Sequence, residues 1–531
     1  MVKNIKAVLK NLLTSEIIES CLEQLLLFNL PAPARKIISH NKILWRNFKV
    51  LKPTSIIICD LFYVPETLIM YSYFCNILAK KTNSEIKNYI WGNNLKNLKY
   101  SLIYKSFNCD TTIRIKLNKA QKKQILAEYS RVISSFKTKT DVLNYEIEGA
   151  KIGVDIYESY LREYNKATLD LADPRFNFIL KCGISLFYFW NNYFSENSVR
   201  GLVVSHDNYI WMNIGCKVAY KFKIPVYLPN PRSMTFAQEP FSVYKYFKDL
   251  PELFSKLTNR ERLDAIKIAR EQYGKRFSGE IGVDMYYSTA SSFGKVENRK
   301  YLKESNAVKV LIATHCFYDN PHAYEMLPFP DFYEWLNFLG GVSNETNYDW
   351  YIKVHPDPLP GTLDIVERIV GKYPRIKTIP YNVSHHQLIN EGIDFVLTCY
   401  GTIGEEYPYF GKQVINTGYN PRIAYKKLNW HAETIKEYKE MLFNLKDLHL
   451  EIDQDELMEF YYMNHYFNWS DDLLFNSYRE FLSKFSGNQQ SFDVFTYFLH
   501  EFSVEKSDET ISKIEEFIRS GKTNYFSIGS V

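Results

Sequence analysis

The chain has 531 residues, 46% of them apolar and 24% charged, which is enough for two large cores and too much for one ordinary domain. Its eight cysteines are scattered singly, with neither a CxxC pair nor a Cys/His cluster at zinc spacing, a pattern that argues against a structural metal and for a reducing compartment. The net charge of +5 conceals an asymmetry, because residues 1–140 hold 23 Lys and Arg against 8 Asp and Glu and leave the remainder at −10. A basic amino-terminal part is either a solvated face or a field that attracts an anionic membrane surface or a polyanionic acceptor. No helix-turn-helix, zinc-finger or RNA-recognition pattern accompanies it, so nucleic acid is not an expected partner.

In chain order, the opening "MVKNIKAVLKNLLTSEIIES" lacks the apolar centre and cleavage site of a signal peptide, and no segment reaches the roughly 18 apolar residues of a membrane span. The expectation is a cytoplasmic protein, peripheral to the inner membrane if it meets one. "TSIIICD" predicts a strand and "PETLIMYSYFCNILAKK" the helix after it. "FILKCGISLFYFWNNYF" is apolar but broken by Lys181, Asn191 and Asn192, which predicts a buried helix. "RGLVVSHD" predicts a strand, "NYIWMNIGCKVAYKFK" a helix and "IPVYLP" a second strand. The stretch "YGKRFSGEIGVDMYYSTASSFGKVENRK" has no periodicity and marks a junction. Beyond it strands and helices alternate again through "AVKVLIATH", "FPDFYEWLNFLGGV", "DWYIKVHPDP", "GTLDIVERIVGKYP", "IKTIP", "SHHQLINEG", "DFVLTCYG", "TIGEEYPYFG" and "KQVINTG". Such alternation implies α/β units with parallel sheets covered on both faces. After about residue 430 the pattern predicts helices to the end. The expected units are 1–275, 300–430 and a helical region 431–531.

Ligands of parallel sheets sit beyond the carboxyl ends of the strands, and three strands of the second half end there in polar residues. "VLIATH" brings Thr314 and His315, with Asp319 and His322 just beyond; "WYIKVHP" brings Lys353, His355 and Pro356; "FVLTCYGT" brings Gly401 and Thr402. A helix starting at Gly401-Thr402-Ile403-Gly404 offers backbone N–H groups and a hydroxyl to a phosphate. Lys353 and His355 add charge-assisted bonds to the same phosphate. Glu405 and Glu406 fall in the first turn, one to accept ribose hydroxyls and the other to cap. Each feature also has an ordinary reading: a tight βα turn, a proline that stops a strand, carboxylates that complement a helix dipole. Their clustering at one sheet edge favours the functional one. In the first half, "VVSHDNY" places His206 and Asp207 at a strand's carboxyl end as candidates for an acceptor-side base, with Asp60 of "IIICD" a second candidate; Asp207 as a plain helix N-cap is the alternative.

"IKVHP" followed downstream by "CYGTIGEEYPYFGKQVINTG" resembles the HP motif and the Ser/Thr-Gly-Glu motif of bacterial capsule polysaccharide synthesis glycosyltransferases. That family includes 3-deoxy-manno-octulosonic acid (Kdo) transferases and, more distantly, bacterial sialyltransferases. The resemblance extends from about Val308 to Gly418, with support from "VVSHDNYIWMNIGCKVAYKFKIPVYLP". It implies the GT-B fold: an acceptor-side Rossmann-like domain over 1–275 facing a nucleotide-sugar domain over 300–430 across a cleft. It also implies that His355, Pro356, Thr402 and Glu406 hold the donor phosphate and nucleotide. Gly401 stands where the family commonly has serine. The implied substrates are a nucleotide-sugar donor, with a CMP-activated acidic sugar such as Kdo or a sialic-acid-like sugar as first choice, and a glycan or glycolipid acceptor in capsule or lipopolysaccharide synthesis. No separate cofactor and no metal are expected. "GTIGEEYPYFGKQV" is also similar to a segment of UDP-N-acetylglucosamine 2-epimerases, whose Gly-Thr-Arg-Pro motif this sequence lacks. A non-catalytic GT-B scaffold is a third reading.

Overall fold

The computed structural model describes residues 27–90, 95–240, 242–283, 290–467, 470–485 and 487–525. The chain is an α/β protein, with two large sheets of mainly parallel strands and a helical carboxyl-terminal region. The first sheet begins with β1 (Ser55–Asp60), β2 (Ser84–Ile90), β3 (Thr111–Arg114), β4 (Val199–Val203), β5 (Val226–Asn230) and β6 (Ser233–Ala237). The second contains β7 (Lys309–Ala313), β8 (Asp349–Lys353), β9 (Ile376–Ile379), β10 (Phe395–Thr398), β11 (Gln413–Thr417) and β12 (Trp430–Ala432). A last strand, β13 (Asn524–Tyr525), returns to the first sheet, whose order is β13-β6-β5-β4-β1-β2-β3; the second runs β9-β8-β7-β10-β11-β12. All pairings in the second sheet are parallel, whereas β5-β6 and β6-β13 are antiparallel. All six residues of β1 are buried, as a parallel strand covered on both faces requires, and its apolar side chains supply that burial without alternation.

Several of the helices that position the site open on a proline or on a side-chain cap. In the first half the helices concerned are α1 (Ala32–Leu44) and α2 (Pro65–Thr82), both with proline in the first turn, then α3 (Gly153–Tyr164) and α4 (Pro174–Glu196), the latter opened by Asp173. Next come α5 (Asn259–Phe277), opened by a Thr258/Glu261 capping box, α6 (Phe332–Glu345), capped by Asp331, α7 (Thr362–Lys372) and α8 (Ile403–Tyr409). The last are α9 (Gln454–His465), α10 (Tyr478–Phe485), α11 (Asp493–Glu501) and α12 (Val504–Ser520). The predicted helix after β4 begins instead as a π-helical turn, Tyr209–Asn213, and turns α-helical at Ile214. The strands β12 and β13, of three and two residues, fall within the region expected to be helical; edge strands this short carry no readable alternation.

Packing crosses the halves of the sequence twice. Helix α5 buries Ala265, Ala269 and Tyr273 in one cluster with Tyr425, Leu428 and the apolar face of α9. The terminal helices α10, α11 and α12 bury Phe481, Phe495 and Phe517 with α1 and α2 over the first sheet. Between these cores, α3 meets the segment before α6. Asp331, fully buried, accepts hydrogen bonds from Tyr157 Oη (2.5 Å) and Thr168 Oγ1 (2.6 Å) and caps α6 through Glu334 N (2.9 Å). Burial raises the Asp331 carboxyl above the ordinary range, and these donors offset the rise. Asp331→Ala removes a cap and strands two hydroxyls, so it is expected to destabilise the protein by roughly 3 kcal/mol, measurable as a lower urea midpoint; a change of a few tenths would contradict this account.

Candidate functional site

Strands β8, β7 and β10 are neighbours in register, with Lys353 beside Ala313 and Leu397 beside Ile312. Their carboxyl ends open into a cavity of ≈ 510 Å³ lined by Thr314, His315, Lys353, His355, Pro356, Gly401, Thr402 and Glu406, and also by Arg276, Tyr324, Thr362, His385 and Tyr400. The first eight of these, all candidates from the sequence, therefore meet at one hollow. Lys353 is its most unusual member. It is 2% exposed, and its ammonium has no hydrogen-bond partner among the described residues. Burial pulls its pKa down to about 8, with Glu406 opposing the fall. The hydroxyls of Thr314 and Thr362 on the same wall also lack partners among the described residues. Unpaired buried donors facing a hollow are what an anionic or hydroxylated ligand would satisfy.

The imidazoles on this wall are held neutral. His315 Nε2 accepts from Cys399 N (3.1 Å) and lies 3.0 Å from Thr398 Oγ1, which leaves the ring proton on Nδ1. Its ring stacks on Phe332 at 4.6 Å, and burial, with Arg422 and His355 adding repulsion, pushes its pKa down to about 3. His355 Nδ1 accepts from Asp357 N (3.1 Å), and burial lowers its pKa. His385 touches Tyr407 Oη at 2.9 Å; burial first, then the charges of Lys353 and Arg276, lower its pKa.

The motif around α8 is built differently from the sequence expectation. The Thr402 hydroxyl donates to Glu406 Oε1 (3.0 Å), and Gly401 N donates to Thr398 Oγ1 (3.1 Å), so neither group stands free for a phosphate. Gly404 is small for another reason: a Cβ there would lie 2.6–2.7 Å from the Arg422 guanidinium. Glu405, with no exposure, turns away from the cavity and contacts His465 Nε2 at 2.7 Å, with Arg422 at 4.0 Å. It cannot reach ribose hydroxyls, because adjacent helix positions lie about 100° apart and only Glu406 faces the hollow. Glu406 pairs with Arg276 of α5, a partner 130 residues away that no motif announced. Beneath them Arg422 donates to Asn429 Oδ1 (2.9 Å) and Asn416 Oδ1 (3.1 Å).

Four other candidates lie off the cavity. His322 is buried against Glu158, which accepts from its backbone N at 2.8 Å and contacts Nδ1 at 3.1 Å, so it joins α3 to the second half. Asp60 is enclosed by Tyr71 Oη (2.5 Å) and Ser205 Oγ (2.6 Å), which removes it from any acceptor. His206 and Asp207 are exposed on the loop after β4. The surrounding protein still raises the Asp207 carboxyl by desolvation, against the pull of His206 and Lys217. Two residues on, Tyr209 donates to Asp319 (2.8 Å), which also meets Arg162 (3.1 Å) and lines the cavity. This loop therefore abuts the cavity mouth. Among the described residues no three His, Cys, Asp or Glu side chains gather as a metal site.

No family model matches the sequence, and no curated protein matches it. Among solved structures the chain is similar to KpsC of Thermosulfurimonas dismutans, a beta Kdo 2,4 transferase, at 14% identity and a TM-score of 0.28, covering 50% of this chain and 79% of that one. It is also similar to the UDP-GlcNAc 2-epimerase of Neisseria meningitidis at 10% identity and TM-score 0.22, covering 84% and 100%, and to S. aureus MnaA bound to UDP at 11% and 0.24, covering 88% and 97%. Likeness at this level says nothing of donor, acceptor or reaction.

Two outcomes follow from the geometry. Because Lys353 gives up its proton more readily folded than unfolded, the free protein should gain stability as pH rises from about 8 towards 10.5. Lys353→Met should raise stability at neutral pH by up to about 3 kcal/mol and flatten that rise, read as urea midpoints against pH; a variant less stable than the parent would refute the unpaired-lysine account. Gly404→Ala should lower the melting temperature, at a cost of about 1–3 kcal/mol from overpacking against Arg422; an unchanged melting temperature would show that the clash relaxes freely.

Proposed function

We propose that the protein is a glycosyltransferase that takes a sugar from a nucleotide-sugar donor held in the Lys353 cavity. The observation that carries this reading is the buried Lys353 ammonium, without a hydrogen-bond partner among the described residues, on a ≈ 510 Å³ hollow at the strand ends that is also lined by two hydroxyls without partners among those residues. In the transfer, the bond from the anomeric carbon to the donor phosphate oxygen breaks and the acceptor oxygen bonds to that carbon. Negative charge develops on the departing phosphate, and an ammonium already stripped of water stabilises it more strongly than one in solvent. Lys353 carries this role, His355 and Thr314 add donors, and Glu406, fixed by Arg276, keeps the site from excess positive charge. Proton removal from the acceptor falls to Asp207 with His206 beside it, on the loop that abuts the cavity mouth. Its exposure on that loop leaves the carboxylate open to an acceptor hydroxyl.

A CMP-linked acidic sugar is the preferred donor on the sequence resemblance, and a capsule or lipopolysaccharide glycan the acceptor. A melting-temperature panel with CMP, UDP and GDP tests the donor side, since a ligand that binds only the native state raises the transition by mass action. One nucleotide is expected to raise it in the parent, and in Lys353→Met or His355→Ala that rise should fall by more than half. Asp207→Asn should keep the rise and lose about a hundredfold or more in transfer rate. No response to any nucleotide would sink the proposal, and donor turnover that needs no acceptor would move it to epimerase-like chemistry.

A further inference from the structure

The nucleotide site uses none of the basic charge of the amino-terminal part, and that charge has a structured home. Residues 27–54 contain six Lys and Arg and no Asp or Glu. Helix α1 buries Ala34, Ile37, Ile38 and Asn41 and turns its opposite face, with Arg35, Lys36, Lys42 and Ile43, to solvent. Arg46, Lys49, Leu51 and Lys52 extend that surface towards the start of β1. Among the described residues only Lys49 of this set pairs with an acid, Asp110 at 2.8 Å. Bulky apolar side chains stand among the cations: Phe28 is 81% exposed, Ile43 77% and Leu51 87%. Arg35 donates to Phe28 O (3.0 Å) and Leu30 O (2.9 Å), fixing the Phe28 segment beside the helix.

We infer that this face docks on an anionic lipid bilayer. Cations alone would fit any polyanion, but two exposed aliphatic side chains and a phenyl ring at the same surface gain nothing from a phosphodiester backbone. In the interfacial layer of a membrane, both halves of the pattern are satisfied at once: the apolar tips enter the acyl boundary while the cations meet headgroup phosphates. No described helix is long and apolar enough to cross a membrane; the contact inferred for this face is surface adsorption. The Arg46–Lys52 part of this surface leads into the start of β1, whereas the loop carrying His206 and Asp207 leaves the parallel neighbour β4 at its carboxyl end.

Sedimentation of the full chain with vesicles of phosphatidylglycerol and phosphatidylcholine, against vesicles of phosphatidylcholine alone, tests this. The parent should partition onto the anionic vesicles, and high salt should release it. The triple variant Lys36→Glu, Lys42→Glu and Arg46→Glu should lower partitioning by at least about tenfold, and Ile43→Asn with Leu51→Asn should lower it several-fold at unchanged charge. Reversal of three exposed lysines elsewhere, Lys256, Lys267 and Lys436, should lower it far less. All variants should keep the parent's melting temperature and its response to nucleotide, so that loss of docking and loss of the donor site read separately. Equal binding to neutral vesicles, no binding to either, equal loss from both charge-reversal sets, or preferential binding of RNA in competition would overturn the inference.

Discussion

The structure at the second sheet depends on one costly placement, an ammonium at the end of β8 with no hydrogen-bond partner among the described residues. Burying a cation without a partner is among the larger penalties a fold can carry, and here it is moderated at a distance by Glu406. The layer beneath is arranged in the opposite way. Arg422 spans Asn416 and Asn429, Asn429 donates to Gly404 O (2.8 Å), and Glu405 meets His465. A largely satisfied polar layer under an unsatisfied one is mechanically sensible: the lower layer fixes α8, and the upper layer keeps its donors for a ligand.

This arrangement also explains why the chain crosses between its halves. Glu406 needs a counter-charge, and the chain supplies it from α5, which precedes the second sheet in sequence and packs with α9. Glu405 needs a partner on the other side, and α9 supplies His465. One turn of α8 is therefore clamped between two helices separated by the whole second sheet in sequence. The cavity wall can form only once both have docked, which couples the site to the packing of the terminal region.

The strands and their carboxyl ends were legible because the physics is local. Continuous apolar runs such as Ile56–Cys59 and Val310–Ile312, cut off by polar residues, specify buried parallel strands and the edge where polar groups collect. That sufficed to bring Thr314, His315, Lys353, His355 and Thr402 together. The direction of individual side chains on a one-turn helix was not legible: Glu405 and Glu406 are chemically identical in sequence, and only helix phase decides which one reaches the hollow. Nor was Arg276, since its partnership with Glu406 depends on where α5 docks. Gly404 illustrates a misread signal, because its missing side chain makes room for Arg422 rather than for an anion.

The loop after β4 ties the two halves together at the point where chemistry would need them to meet. Tyr209 takes a positive φ of 57°, costly for an aromatic residue, and opens a π-helical turn. That strain is compensated by what the conformation brings: the phenol reaches Asp319 across the halves, where Arg162 already holds the carboxylate. A regular α-helix starting at the same residue would phase this side chain differently and lose the bridge. The turn follows His206 and Asp207 closely in sequence, so this exposed acid–imidazole pair stands beside a contact made to a residue of the cavity wall.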